Sequence, residues 1–142
     1  CIQGRLACNL LDGMVAIEGG KQSPLGQLYN EFPDRIADCI LIVALGYAAH
    51  LPTIGWLGAL AAALTAYVRV FGGALGLAQD FRGPLAKPHR MAAMTAGCLF
   101  AAIERPLSGT QYALTVTTYV IAIGAIATCV TRTAAIARRL RS

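Results

Sequence analysis

Charge is scarce in this sequence. Asp, Glu, Lys and Arg make up 13% of its 142 residues, against about a quarter in an average soluble domain. That shortage argues against an ordinary solvated surface. Cysteines are few and scattered: Cys1, Cys8, Cys39, Cys98 and Cys129 form no C-x-x-C and no Cys/His spacing, which argues against a zinc site. Three of them fall in apolar runs, where a free thiol behaves as a small hydrophobe. No basic stretch is interleaved with aromatics, so nucleic acid is not an expected partner. No repeat and no low-complexity segment is present. The first residue is Cys, with no signal peptide ahead of it. The short apolar stretch before Asn9 falls well below the ~20 residues of a membrane span. The chain is therefore expected to begin inside a longer protein, with its first helix or helices missing.

What the sequence has in quantity is grease. Hydrophobic residues account for 56% of the chain, and the mean hydropathy is +0.58. The expected fold class is all-α, a polytopic transmembrane bundle of about four spans plus the end of an upstream helix. Residues 1–17 read as that helix end, and Gly19-Gly20 breaks it. Lys21 to Pro24 reads as a loop, with Ser23 as N-cap and Pro24 at the first helical position. The helix after it runs past Pro33, where a kink is expected, and continues through Ile36 to His50. Leu51-Pro52-Thr53 reads as a tight turn. Ile54 to Ala78 is a second apolar stretch, and its small-residue run GALAAALTA suits close packing between membrane helices. Gln79 to Arg90 is a basic loop. Met91 to Ile103 is short for a span unless it extends at both ends. Glu104-Arg105-Pro106 with Ser108-Gly109 reads as a turn. Tyr112 to Val130 is the clearest span, followed by a basic tail with Arg132, Arg138, Arg139 and Arg141.

Positive charge is uneven between the two sets of loops. The stretches around 51–53 and 104–111 hold only Arg105, whereas the opposite set holds the other cations. By the positive-inside rule, the acidic stretch, the 79–90 loop and the tail are expected at the cytoplasmic face of a multi-pass membrane protein.

Five of the seven acidic residues, Asp12, Glu18, Glu31, Asp34 and Asp38, crowd into residues 9–38. Asn30, Asp34 and Asp38 are spaced i, i+4, i+8 and form one line on a helix. Asn9 and Asp12, at i and i+3, share a face of the helix before. If the two helices are antiparallel, five oxygen-bearing side chains converge. Hard oxygen ligands suit Mg²⁺, Mn²⁺ or Ca²⁺. The plain alternative is a set of solvated carboxylates neutralised by Lys21 and Arg35. Asp38 weighs toward a site, because an ionisable residue at the start of a span marks function by default.

These residues carry a resemblance. The chain reads Asn9-x2-Asp12-Gly13-x2-Ala16-Ile17-x8-Gly26-x3-Asn30-x3-Asp34. This spacing resembles the signature D-x2-D-G-x2-A-R-x8-G-x3-D-x3-D of the CDP-alcohol phosphatidyltransferases. It departs at Asn9 and Asn30, where the pattern has Asp, and at Ile17, where it has Arg. A second register places Asp34 and Asp38 in the last two positions, with four extra loop residues. Tyr67-Val68-Arg69 and Lys87-Pro88-His89-Arg90 also resemble the family's Tyr-x-Arg and the basic turn that opens its following helix.

The resemblance implies a single membrane domain, a six-helix bundle when complete. It would transfer a phosphatidyl-type group from a CDP-linked lipid to an alcohol acceptor and release CMP, as a step of phospholipid biosynthesis. It implies Mg²⁺ or Mn²⁺ held by Asp12, Asp34 and Asp38 with Asn9 and Asn30. Asp38 or Asp34 would be the base toward the alcohol. Gly13, Ala16 and Gly26 would line the nucleotide, and Arg69, Lys87 and Arg90 would hold phosphate. Implied partners are the CDP-lipid, the alcohol and the bilayer, with a homodimer left open. Two rival readings stand beside it. The first is a non-enzymatic or impaired scaffold of the same fold, motivated by Asn9, Ile17 and Asn30. The second, ranked lower, is a small transporter with Asp38 and Arg69 on an ion path.

Overall fold

The computed structural model describes residues 24–77 and 85–141, and Gly4; for residues 24–30 it describes the backbone alone. The described residues fold as helices, with no strand among them. Four long helices follow in order: α1 (Pro24–Ala48), α2 (Pro52–Ala74), α3 (Lys87–Ser108) and α4 (Tyr112–Arg139). The chain divides into two compact units, Cys1–Ala37 and Asp38–Ser142, and the boundary falls inside α1.

The sequence explains where the helices start. α1 begins at Pro24, and α2 and α3 carry Pro in their first turn. Proline suits that position because its fixed φ is already helical and its missing N–H would have no intrahelical partner. α1 and α2 are joined by a very tight turn in which His50 takes φ 58°. The turn therefore spans Ala49–Leu51, two residues before the expected Leu51-Pro52-Thr53, and Pro52 already belongs to α2.

Two other ends differ from expectation. α3 extends at both ends of Met91–Ile103 and includes Pro106 in its last turn. It ends where Gly109 takes φ 66°, a left-handed cap that glycine adopts without steric cost. α4 runs through most of the expected tail as far as Arg139. Its Arg residues extend an existing helix, so no new structural signal marks the end of the apolar run.

The interior of unit Asp38–Ser142 is built from small side chains. Gly58, Ala59, Ala61, Ala62 and Thr65 of α2 are buried, as are Thr118, Ile121, Ala122, Ala125 and Thr128 of α4. A methyl group added at Gly46 of α1 would lie 2.5 Å from the Gly55 Cα of α2, so the two backbones are in near contact there. The bulky residues face outward: Trp56, Leu60, Leu64, Tyr67 and Phe71 on α2 are exposed, as are Val120, Ile123 and Val130 on α4. Small inside and large outside is the arrangement expected where apolar lipid, rather than water, surrounds the helices. α2 and α4 are both long and apolar enough to cross a membrane.

Candidate functional site

α1 carries the described half of the acidic pattern. Its backbone includes Gly26 and Asn30, and its described side chains begin at Glu31. Glu31 and Arg35 pair at 2.8 Å across one exposed helical turn. Asp34 is half-buried. Asn9, Asp12, Gly13 and Ala16 lie outside the described residues, as do the 1–17 helix end apart from Gly4, the 18–23 loop, Ala78 and residues 79–84 of the basic loop. The expected convergence of Asn9 and Asp12 on α1 falls outside the described residues with them.

Asp38 is different in kind. It is only 2% exposed, and so is Arg90 in the first turn of α3. Arg90 Nη2 donates to Asp38 Oδ2 at 3.3 Å. Its Nη1 reaches the Leu85 carbonyl at 3.5 Å. The Leu85 N–H in turn donates to Thr128 Oγ1 of α4 at 3.1 Å. Asp38 of α1 and Arg90 of α3 thus form one buried ion pair, and the segment before α3 that meets Arg90 is itself tied to α4 through Thr128. The pairing has a simple cause: an isolated carboxylate is very costly in an apolar interior, and guanidinium is the side chain that keeps its charge there.

Sequence reasoning places both partners in the site but not together. It puts Asp38 with the metal ligands and the base, and Arg90 with the phosphate ligands. The structure puts the two in contact. Among the described residues, no three His, Cys, Asp or Glu side chains group as a metal site. Asp38 gives one carboxylate oxygen to the Arg90 guanidinium, which sets a positive charge beside the position proposed for a cation.

The remaining phosphate candidates are spread over two helices. Arg69 is half-buried near the end of α2, and Lys87 opens α3. His89 is exposed in the first turn of α3 rather than in a loop, and His50 is exposed in the α1–α2 turn. Trp56, near the start of α2, is exposed.

Sequence reasoning misses two residues. Arg132, expected in a solvated tail, is 8% exposed, and its Nη1 donates to the Thr65 carbonyl of α2 at 3.2 Å. The available signal is its position, only two residues past the apolar run at Val130. Glu104 is expected in a turn. Its carboxylate instead accepts from the backbone N–H of Tyr112 at 2.9 Å and of Ala113 at 2.8 Å, and from the Thr110 hydroxyl. It caps the N-terminus of α4 from the preceding helix. The Thr110 hydroxyl and then the Ala113 and Tyr112 N–H groups hold its carboxyl below the usual range. Pairing an N-terminal cap across a turn is hard to read from spacing, since the acid stands eight residues before the helix start.

An open apolar groove of about 600 Å³ lies between α3 and α4, lined by Gly97, Phe100, Ile103, Tyr112 and Val116 among others. It holds none of the candidate site residues. Comparison with known protein families, with curated proteins and with solved structures matched nothing to this chain.

Proposed function

We propose that the chain is a polytopic membrane protein that transfers a phosphatidyl-type group from a CDP-linked lipid to an alcohol. The observation that carries the reading is the spacing from Asn9 to Asp34, whose second half falls on one uninterrupted helix starting at Pro24. Small-inside packing and two helices long and apolar enough to span a bilayer support a membrane setting. In this reading α1 and α3 also cross, and the acidic stretch, the basic 79–90 loop and the tail are assigned to the cytoplasmic face by the positive-inside rule.

The proposed roles follow from chemistry. Asp34 takes the proton of the acceptor hydroxyl as general base. Arg69 and Lys87 offer positive charge to the donor's or acceptor's phosphate, the guanidinium in a fork that suits two oxygens at once. Gly26 leaves room for close approach of a nucleotide to helix backbone. The cation of this reading is Mg²⁺ or Mn²⁺, assigned to Asp12 and Asp34 with the amide oxygens of Asn9 and Asn30. Asp38 stands outside that set because Arg90 engages it. A site with two carboxylates and two amides binds a hard cation less tightly than one with four carboxylates, since an amide supplies an oxygen but no charge.

Ligand binding tests this directly. CDP-diacylglycerol with Mn²⁺ is expected to raise the melting temperature of the full chain in detergent, and CMP is expected to compete. Equal melting with and without the nucleotide lipid would remove the basis for the reading.

The Asp38–Arg90 pair and the two asparagines favour one second reading, a scaffold of the same fold without turnover. In that case the Asn9→Asp/Asn30→Asp variant gains a divalent-cation affinity that the native chain lacks.

A further inference from the structure

Asp38, Arg90 and Arg132 are the charged side chains buried among the described residues. A carboxylate as enclosed as Asp38 must be protonated, bound to a metal or paired with a cationic side chain. Arg90 meets that need at 3.3 Å, and both partners are sealed to the same degree. The guanidinium is also steered from its other side. Its Nη1 points to the Leu85 carbonyl, and the Leu85 N–H is tied to Thr128 on α4. Arg90 thus reaches Asp38 from a position set by two other segments, and no rearrangement is needed to form the pair.

We propose that Arg90 is the resident counter-ion of Asp38 and excludes a divalent cation from that carboxylate, so that any cation held by the acidic line of α1 stops at Asp34. The inference rests on the site reading above. It assigns Arg90 to a neutralising role in place of phosphate contact, and it selects the register in which Asp34, not Asp38, closes the acidic pattern. Arg90 does the work at Asp38 that a metal does in an all-carboxylate site. It does so permanently, because guanidinium does not lose its proton in a protein.

The test is Mn²⁺ binding to the full chain in detergent micelles, read by electron paramagnetic resonance of the free ion. Arg90→Gln keeps a hydrogen-bond donor beside Asp38 but removes the charge. It is expected to bind Mn²⁺ about tenfold more tightly than the native chain, or more, because a nearby like charge is gone. Asp38→Asn/Arg90→Gln is expected to lose that gain. Asp38→Asn alone is expected to match the native chain, whether both bind weakly or neither binds. An Arg90→Gln protein with native affinity overturns the proposal, and so does an Asp38→Asn protein that binds Mn²⁺ more weakly than native. If Arg90→Gln does not accumulate as folded protein, Arg90→Met takes its place, with the same gain in Mn²⁺ binding expected and native affinity again overturning the proposal. Absence of Mn²⁺ binding in the native chain counts against the proposed function and leaves this inference to the two variants.

Discussion

At the scale of single residues, the buried Asp38–Arg90 pair makes the sharpest demand on stability. Removing one partner leaves the other charge sealed in an apolar interior, which in buried pairs costs about 3–5 kcal/mol. Asp38→Leu and Arg90→Met are each expected to lose stability on that order in detergent-based unfolding. The double variant is expected to recover most of the loss, because a well-packed apolar pair replaces both charges at once. Additive losses would show that the two side chains are not coupled.

Glu104 makes a different kind of prediction. Its carboxyl is held low by the Thr110 hydroxyl and by the Ala113 and Tyr112 N–H groups. A lowered carboxyl contributes stability above the ordinary carboxylate range and loses it as pH falls through the lowered value. On acidification the Tyr112 and Ala113 amide resonances are expected to shift together. In Glu104→Gln they are expected to be insensitive to pH over the same window.

Neither residue's role is visible from spacing alone. Asp38 can be singled out as an ionisable group opening an apolar run, but its partner stands 52 positions later, and nothing local points to it. Arg132 is hidden for a related reason. An arginine after an apolar run ordinarily ends it in solvent, and only the approach of α2 turns this one inward to the Thr65 carbonyl.

At the scale of elements, local chemistry is a good guide to helix starts and a poorer one to helix ends. Pro24 opens α1 as its position after Ser23 suggests, and Pro88 lies in the first turn of α3. Pro106 misleads in the other direction. Proline blocks a helix by removing a donor and crowding the preceding turn, so a stop is expected there, yet α3 continues to Ser108. The decisive signal is Gly109, whose left-handed φ of 66° closes the helix. Gly109→Ala is expected to cost about 1 kcal/mol, since Ala resists that conformation; the unfolding midpoint of the purified chain measures it.

The close approach of α1 and α2 is a stricter constraint. An added methyl at Gly46 meets backbone of Gly55 at 2.5 Å, and backbone cannot rotate away as a side chain can. Gly46→Ala is expected to destabilise by about 1–3 kcal/mol, the usual cost of overpacking. A neutral result in the same measurement would mean that the two helices slide apart freely. The small-residue run GALAAALTA indicates such packing in advance, and its Gly58, Ala59, Ala61 and Ala62 do form the buried face of α2. What the run cannot reveal is which neighbour each small residue meets.

At the scale of the whole molecule, the all-helical class is legible from scarce charge and long apolar runs. The arrangement of large side chains outside and small ones inside gives that composition a physical reason, since an interior of Ala, Gly and Thr brings backbones close while Trp56, Tyr67 and Ile123 are left exposed on the outside, an arrangement that suits apolar surroundings. The candidate site is legible only in part. Spacing indicates which residues share a helix face, and α1 provides that face. Spacing does not say which charges neutralise one another, and there Arg90 alters the reading.

The central claim is that this chain releases CMP from a CDP-linked lipid, with Asp34 as an essential group. The most direct measurement is CMP release from CDP-diacylglycerol by the full chain in mixed micelles with Mg²⁺ or Mn²⁺ and a panel of alcohols. The expected result is alcohol-dependent CMP release in the native protein and its loss in Asp34→Ala, with that variant still folded. CMP release that persists unchanged in Asp34→Ala, or none in the native protein with any alcohol or cation, would contradict the account.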